Sequence, residues 1–239
     1  MTSSRSLSPL QRATGLLGEL MITAGVLLAL FAVYSLWWTD VVADRRADAD
    51  AARVRKAWSA PAPDVPHRSA DARSYQAGEG LGFLHIPRLG KDFEVLIKSG
   101  TDLGTLDEGV AGAYTEPYRA AMPWARSGNF ALAAHRDGHG AKFHDLPELV
   151  RGDRIVVETR DTWYVYTVDR ILERTSKYDV GVTAPVPPES GYTRPGRYLT
   201  LTTCTPAYTS RYRMAVWASL TRTAPVDRAR DLPPELVSR

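Results

Sequence analysis

The chain carries one cysteine, Cys204, at the end of "YLTLTTC", and Arg213 follows it nine residues later. A lone thiol cannot close an intramolecular disulfide, so Cys204 is either a small buried apolar group or a reactive one. A third residue with chemical potential is His135, which ends "SGNFALAAH" and precedes the glycine-rich "RDGHG". Together these three types suit acyl transfer. A free thiol with a pKa of roughly 8.5 is only a few per cent thiolate at neutral pH. A neighbouring imidazole can take its proton and later donate one to a leaving amine. A fixed guanidinium can stabilise the oxyanion of the tetrahedral intermediate, and losing one such donor typically costs about 10²–10³ in rate.

Each residue also has a plainer reading. Free cysteine is among the most buried residue types. A histidine at a strand end is commonly structural, and an arginine after a turn is commonly solvated. His139 and His144 raise the question of a metal site. The spacing lacks the H-E-x-x-H arrangement, and Gly138 and Gly140 argue against one helix presenting two imidazoles.

The elements that would position these groups are strands, whose side chains alternate between faces. In Tyr198–Cys204, Leu199 and Leu201 share one face; Thr200, Thr202 and Cys204 share the other. In Gly128–His135, Phe130, Leu132 and Ala134 form the apolar face, leaving His135 opposite it. In "RYRMAVWASL", Met214, Val216, Ala218 and Leu220 lie on one face and Arg213 on the other. A hairpin through Pro206 therefore brings Cys204 and Arg213 to one surface, with Arg211 taking the role if the register is shifted. Further strands are expected at Gly82–Ile86, Phe93–Lys98, Arg154–Thr159 and Trp163–Leu172, most of them bounded by Gly, Pro or Asp turn signals. The pattern predicts an all-β sandwich or barrel. One helical piece is expected in "AKFHDLPEL", and a long surface loop in the proline-rich stretch 182–197.

The net charge is +3, and from residue 81 onward acidic and basic residues nearly balance. That is not the clustered basic footprint of a nucleic-acid binder. The N-terminal region differs. Residues Leu20–Trp38 carry no charge and no proline, and a helix over them would be about 28 Å long, close to the hydrocarbon thickness of a bilayer. Tyr34, Trp37 and Trp38 crowd one end, as interfacial aromatic residues do. The chain thus divides into an N-terminal leader (1–14), a membrane helix (15–38), a charged, alanine-rich and then proline-rich linker (39–80), a folded domain (81–223) and a tail (224–239). The segment directly after the apolar run reads as a solvated helix or coil. Its basic residues, Arg45, Arg46, Arg53, Arg55 and Lys56, outnumber Arg5 and Arg12 before the run, which taken alone would place the large domain in the cytoplasm.

"TLTTC" with Arg213 downstream resembles the C-terminal signature of sortases. "GNFALAAHRDGHGAKFHDL" is similar to their histidine segment, and "LHIPRLG" (84–90) resembles their first barrel strand. The resemblance spans about residues 81–221. It implies an eight-stranded β-barrel with short helices behind one N-terminal transmembrane helix, and a cysteine transpeptidase for which no cofactor and no metal ligands are assigned, whether a metal tunes activity being left open. Carried across, Cys204 is the nucleophile, His135 the general acid and base, and Arg213 the oxyanion stabiliser or substrate-orienting group. Tyr114, Thr202 and Thr203 are expected to contact the substrate. The composition and "CTPAYTSRYRM" are most similar to class E sortases of actinobacteria, whose signals are LAXTG-like. Partners implied are secreted proteins bearing a sorting signal, the amine of a peptidoglycan precursor, and lipid around the N-terminal helix. The family's topology puts the barrel outside the cell membrane, against the arginine count. "GAY" (112–114) stands where many relatives have "GHY", so Ala113 replaces a histidine expected near the groove and bears on substrate preference. The same residues would also serve a cysteine endopeptidase. From another class, a catalytically silent anchored barrel that binds wall polymers or partner proteins fits the composition equally.

Overall fold

The computed structural model describes residues 9–59, 80–227 and 232–237. The proline-rich part of the linker, most of the leader and parts of the tail lie outside them. The first unit, residues 1–39, is described only as part of helix α1 (Pro9–Ser59). By length and composition this helix is apolar enough to cross a membrane, with a mean hydropathy of 2.3 over its best window.

The second unit, residues 40–239, is built on eight strands. They are β1 (Gly80–His85), β2 (Glu94–Ser99), β3 (Ala111–Ala113), β4 (Gly128–Ala133), β5 (Arg154–Glu158), β6 (Thr162–Ser176), β7 (Arg197–Thr205) and β8 (Tyr212–Pro225). They close into a barrel in the order β1-β2-β3-β4-β7-β8-β6-β5. Most neighbours are antiparallel, but β2–β3 and β4–β7 are parallel. Parallel neighbours cannot be joined by a tight turn, and the β4–β7 pair brings together segments far apart in the chain. The inward faces fill the interior with Leu84, Ile97, Phe130, Leu132, Leu199, Leu201, Val216 and Tyr166. Closure leaves no free sheet edge.

Seven strands follow the expected alternation, and the eighth, β3, went unread. Three residues of "AGA" carry no strand signal, and their pairing is set by β2 and β4 instead. Ala113 is 1 % exposed and belongs to the barrel core. The expectation that position 113 lies near the groove is therefore corrected: alternation turns Ala111 and Ala113 inward. The helical piece in "AKFHDLPEL" is only a 3₁₀ turn, Leu146–Glu148. Pro147 disfavours a longer helix, and Phe143, Leu146 and Leu149 bury their side chains at the three-residue spacing of a 3₁₀ turn. The stretch 182–197 is not purely a surface loop. It carries the turns Val180–Thr183 and Pro188–Ser190, and Val182 packs with Ala215 and Trp217 on the outer face of β8. The Trp217 indole donates to the Val182 carbonyl at 3.0 Å.

The largest departure concerns residues 40–59 of α1, expected to be solvated. Ala43 and Ala47 are buried, and Ala47, Ala51, Val54 and Trp58 pack on Phe83, Leu96 and Val110, on the outer side of β1 and β2. The contact residues 43, 47, 51, 54 and 58 recur every three or four positions, the spacing of one helix face. Arg55 closes the far end, binding both carboxylate oxygens of the buried Glu158 (2.5 and 2.8 Å) and reaching Glu94 at 2.7 Å. Its guanidinium also lies 3.9 Å from the Phe83 ring centre. Residues 40–59 are thus a layer over the barrel.

Candidate active site

On β7 and β8, Cys204 is the direct cross-strand partner of Arg213. The register rather than the loop decides this, and Arg211 lies exposed with its guanidinium 5.3 Å from the Tyr212 ring centre. Cys204 is partly accessible, while Leu199 and Leu201 on the opposite face are fully buried. Thr200 and Thr202 on its own face are buried as well, so the thiol becomes accessible only where β7 ends. Arg213 is half-buried and donates to the carbonyls of Ser210 (3.2 Å) and Tyr212 (3.1 Å), which fold it back against the strand end.

His135 reaches the same end of the barrel along β4. The parallel ladder with β7 runs to Ala133↔Thr202, and the Ala134 amide still donates to the Thr202 carbonyl. Two residues past Ala133, His135 is level with Cys204. It was expected to end the strand; instead the strand stops at Ala133 because the chain turns. Gly138, His139, Gly140 and Ala141 all have positive φ, and the Phe143 amide closes the loop onto the His135 carbonyl at 3.0 Å. For the two non-glycine residues this conformation costs roughly 1–2 kcal/mol each.

The His135 Nε2 lies 2.8 Å from a carboxylate oxygen of Asp107. His139 lies beside it, its ring tilted by 35° with ring centres 5.4 Å apart and Nε2 3.8 Å from the same oxygen. Asp107 follows the short helix α2 (Leu103–Leu106) and was missed by the sequence reading. It sits 28 residues before His135 on another element, and no local spacing links them. Its effect follows from the chemistry of histidine. A carboxylate on one ring nitrogen fixes the tautomer and the orientation of the ring. With Nε2 on Asp107, Nδ1 is the nitrogen on the other side of the ring.

Neighbouring bonds tie the two halves together. Arg136 donates to the Cys204 carbonyl at 3.3 Å, and the Tyr208 amide after β7 donates to Asp137 at 2.8 Å. The Tyr114 hydroxyl shares a 2.9 Å bond with Thr202. Burial pushes the Tyr114 phenol above its ordinary range, against the opposing influence of Thr202 and of the Arg213 cation, so Tyr114 is a neutral wall of the site. Thr202 and Thr203 are buried, and their hydroxyls donate to the carbonyls of Leu132 and Ala134. They join β4 to β7 rather than presenting polar groups to a ligand. His144 hydrogen-bonds through Nδ1 to the Arg136 carbonyl and is exposed, so it does not join the other two imidazoles. Among the described residues, the group able to close around a cation is His85, Glu94 and Glu158, and it is bound by the Arg55 guanidinium.

Comparison with known proteins places this geometry. A family model described as the sortase domain matches residues 84–221. Sortase SrtE2 of Streptomyces coelicolor is 50 % identical over 226 residues, covering 94 % of this chain and 88 % of the relative. Sortase SrtE1 of the same organism is 43 % identical over 95 % of this chain, which spans 62 % of that longer protein. The crystal structure of sortase E1 from Streptomyces coelicolor with a tripeptide in its active site is similar with a TM-score of 0.62 and 47 % identity, covering 67 % of this chain and 99 % of that one. Sortase E from Streptomyces avermitilis gives a TM-score of 0.60 and 40 % identity, over 68 % and 99 %. With the family model over most of the barrel and a relative this similar along nearly its whole length, the chain belongs to the sortase family of cysteine transpeptidases.

Proposed function

We propose that the chain is a membrane-anchored, class E-like sortase that cleaves an LAXTG- or LPXTG-like signal between Thr and Gly. It then transfers the carrier protein to an amine of a peptidoglycan precursor. The observation that carries the reading is the cross-strand pair Cys204–Arg213 with His135 arriving level with it on the parallel neighbour. Cys204 loses its proton to His135 Nδ1 and attacks the threonine carbonyl carbon. The C–S bond forms as the carbonyl electrons move to oxygen, where Arg213 is placed to balance the charge. Collapse breaks the C–N bond, and the imidazolium protonates the departing glycine amine. The acceptor amine then attacks the thioester, gives its proton to His135 and releases the thiolate. Asp107 holds the His135 ring in place in both halves. Tyr114 is the substrate-facing residue of the site, through its ring.

The apolar helix is the anchor in this reading, with lipid around its membrane segment and the barrel on the outer face, where signal-bearing proteins and wall precursors meet. The test mixes the full-length protein in detergent with an LAXTG peptide and a panel of amines, and resolves products by mass. Amide-linked product is expected, and Cys204→Ala abolishes it. Hydrolysis alone with every amine would convert the reading to an endopeptidase. No acyl transfer or cleavage by the wild type would favour a silent binding barrel.

A further inference from the structure

Residues 40–59 of α1 do more than cover apolar surface. Their contacts converge on the two segments that carry His135 and Asp107. Asp40 accepts from the Gly140 amide at 2.9 Å, and Asp44 accepts from the Lys142 ammonium at 2.7 Å. Both partners belong to the loop after His135, whose four consecutive positive φ values need external support. The approach is close: a Cβ on Gly140 would stand 2.7 Å from the Asp44 carboxylate. On the second segment, Ala43 is 1 % exposed and sits against Gly109, where an added Cβ would meet the Ala43 backbone at 3.2 Å. Lys98, itself 7 % exposed at the side chain, is bound by both Asp50 of the helix and Glu108. Glu108 and Gly109 directly follow Asp107.

We propose that Asp40 and Asp44 are positioning residues, and that residues 40–59 hold the imidazole and its carboxylate in mutual register. The inference rests on the reading of His135 as the catalytic acid and base. A helix grips the His135 loop at Gly140 and Lys142, and the Asp107 turn at Gly109 and, through Lys98, at Glu108. The same rigid rod therefore sets the separation between two groups that no strand connects. The turn through Gly138–Ala141 is unfavourable alone and is held where Asp40 accepts from the Gly140 amide and Asp44 from the ammonium of Lys142, the next residue. Neither aspartate approaches the thiol, so both act through His135.

The experiment uses the full-length protein with the peptide and amine of the transfer assay. Asp44→Lys and Lys142→Asp are each expected to lower kcat about 10-fold with the peptide KM unchanged, since small displacements of a reacting group cost that much or more. The charge-swapped double variant should recover kcat to within about 2-fold of the wild type if the pair is what matters. The ¹⁵N resonances of the His135 ring should move in each single variant and return in the double. Asp40→Ala, which removes only the acceptor for one amide, should show the same resonance change in smaller measure. Single variants with unchanged kcat and unchanged ring resonances would overturn the proposal. So would a double variant that stays as slow as the singles. Cys204→Ala, run in parallel, separates the two ideas: retained transfer there overturns the reading of the site itself, not the role of the helix.

Discussion

Cys204 and Arg213 face each other across a ladder of eight consecutive register pairs between β7 and β8. His135 and Asp107 meet through a loop and a turn, on elements that share no ladder. Both pairs end up beside the same end of β7, yet they are held by different physics. The first is set by strand alternation and register, where a one-residue slip would send the side chain to the wrong face. The second is set by a hydrogen bond, a strained turn and the helix packed behind it. A ladder tolerates the loss of a single neighbour. A loop held at two or three points does not. The thiol half should thus fail only when its own groups are changed, and the histidine half should fail from a distance as well.

The largest effect tests the ladder half directly. Arg213→Ala should lower kcat about 10²–10³-fold, the amount typical for one oxyanion donor, with the melting temperature nearly unchanged. Arg211→Ala should leave the rate within about 2-fold, as an exposed residue outside the register pair would. Equal losses would break the claim that register selects the arginine. Next is Asp107→Asn, which keeps the shape and removes the charge. A loss of about 10²-fold is expected, the low end of what positioned proton transfer contributes. It should be read in kcat rather than KM. A flat response would place Asp107 outside the chemistry.

Smaller effects sharpen the contrast. Arg55→Met leaves the Glu158 carboxylate buried beside His85 without its cation and should lower unfolding stability by about 2 kcal/mol in chemical denaturation. Activity should fall only modestly, since Glu158 lies on β5, away from Cys204. Tyr114→Phe should be the mildest. Thr202 keeps its bond to the Leu132 carbonyl, so the cost is about 1 kcal/mol of stability, and the peptide KM should change less than kcat does in Asp107→Asn.

The same contrast explains what was readable before the structure. Alternation in "YLTLTTC", "FALAAH" and "RYRMAVW" is local, so it told which residues face the core and which stand opposite, and the hairpin followed. Ala111–Ala113 has no such signal, because a three-residue strand is defined by its neighbours. Asp107 was invisible since its partner is a tertiary contact. The stripe Ala43, Ala47, Ala51, Val54 and Trp58 was present in the letters. It was hidden by charge, because the aspartates and Arg55 between those residues look like a solvated surface until Lys98, Lys142 and Glu158 are seen to receive them. Thr202 and Thr203 were expected at the substrate from the family resemblance, and in the structure their hydroxyls bond to carbonyls of Leu132 and Ala134.

The parallel β4–β7 ladder has a temporal side. It joins residues such as Ala133 and Thr202, 69 positions apart in the chain, and contacts of that separation form late because chain closure must be met before they contribute. Until then the cysteine and the histidine are far apart, on segments that have not yet met. In the proposed reading, a molecule in which β4 and β7 have not yet paired carries the thiol apart from its base, so the transfer chemistry waits on that ladder.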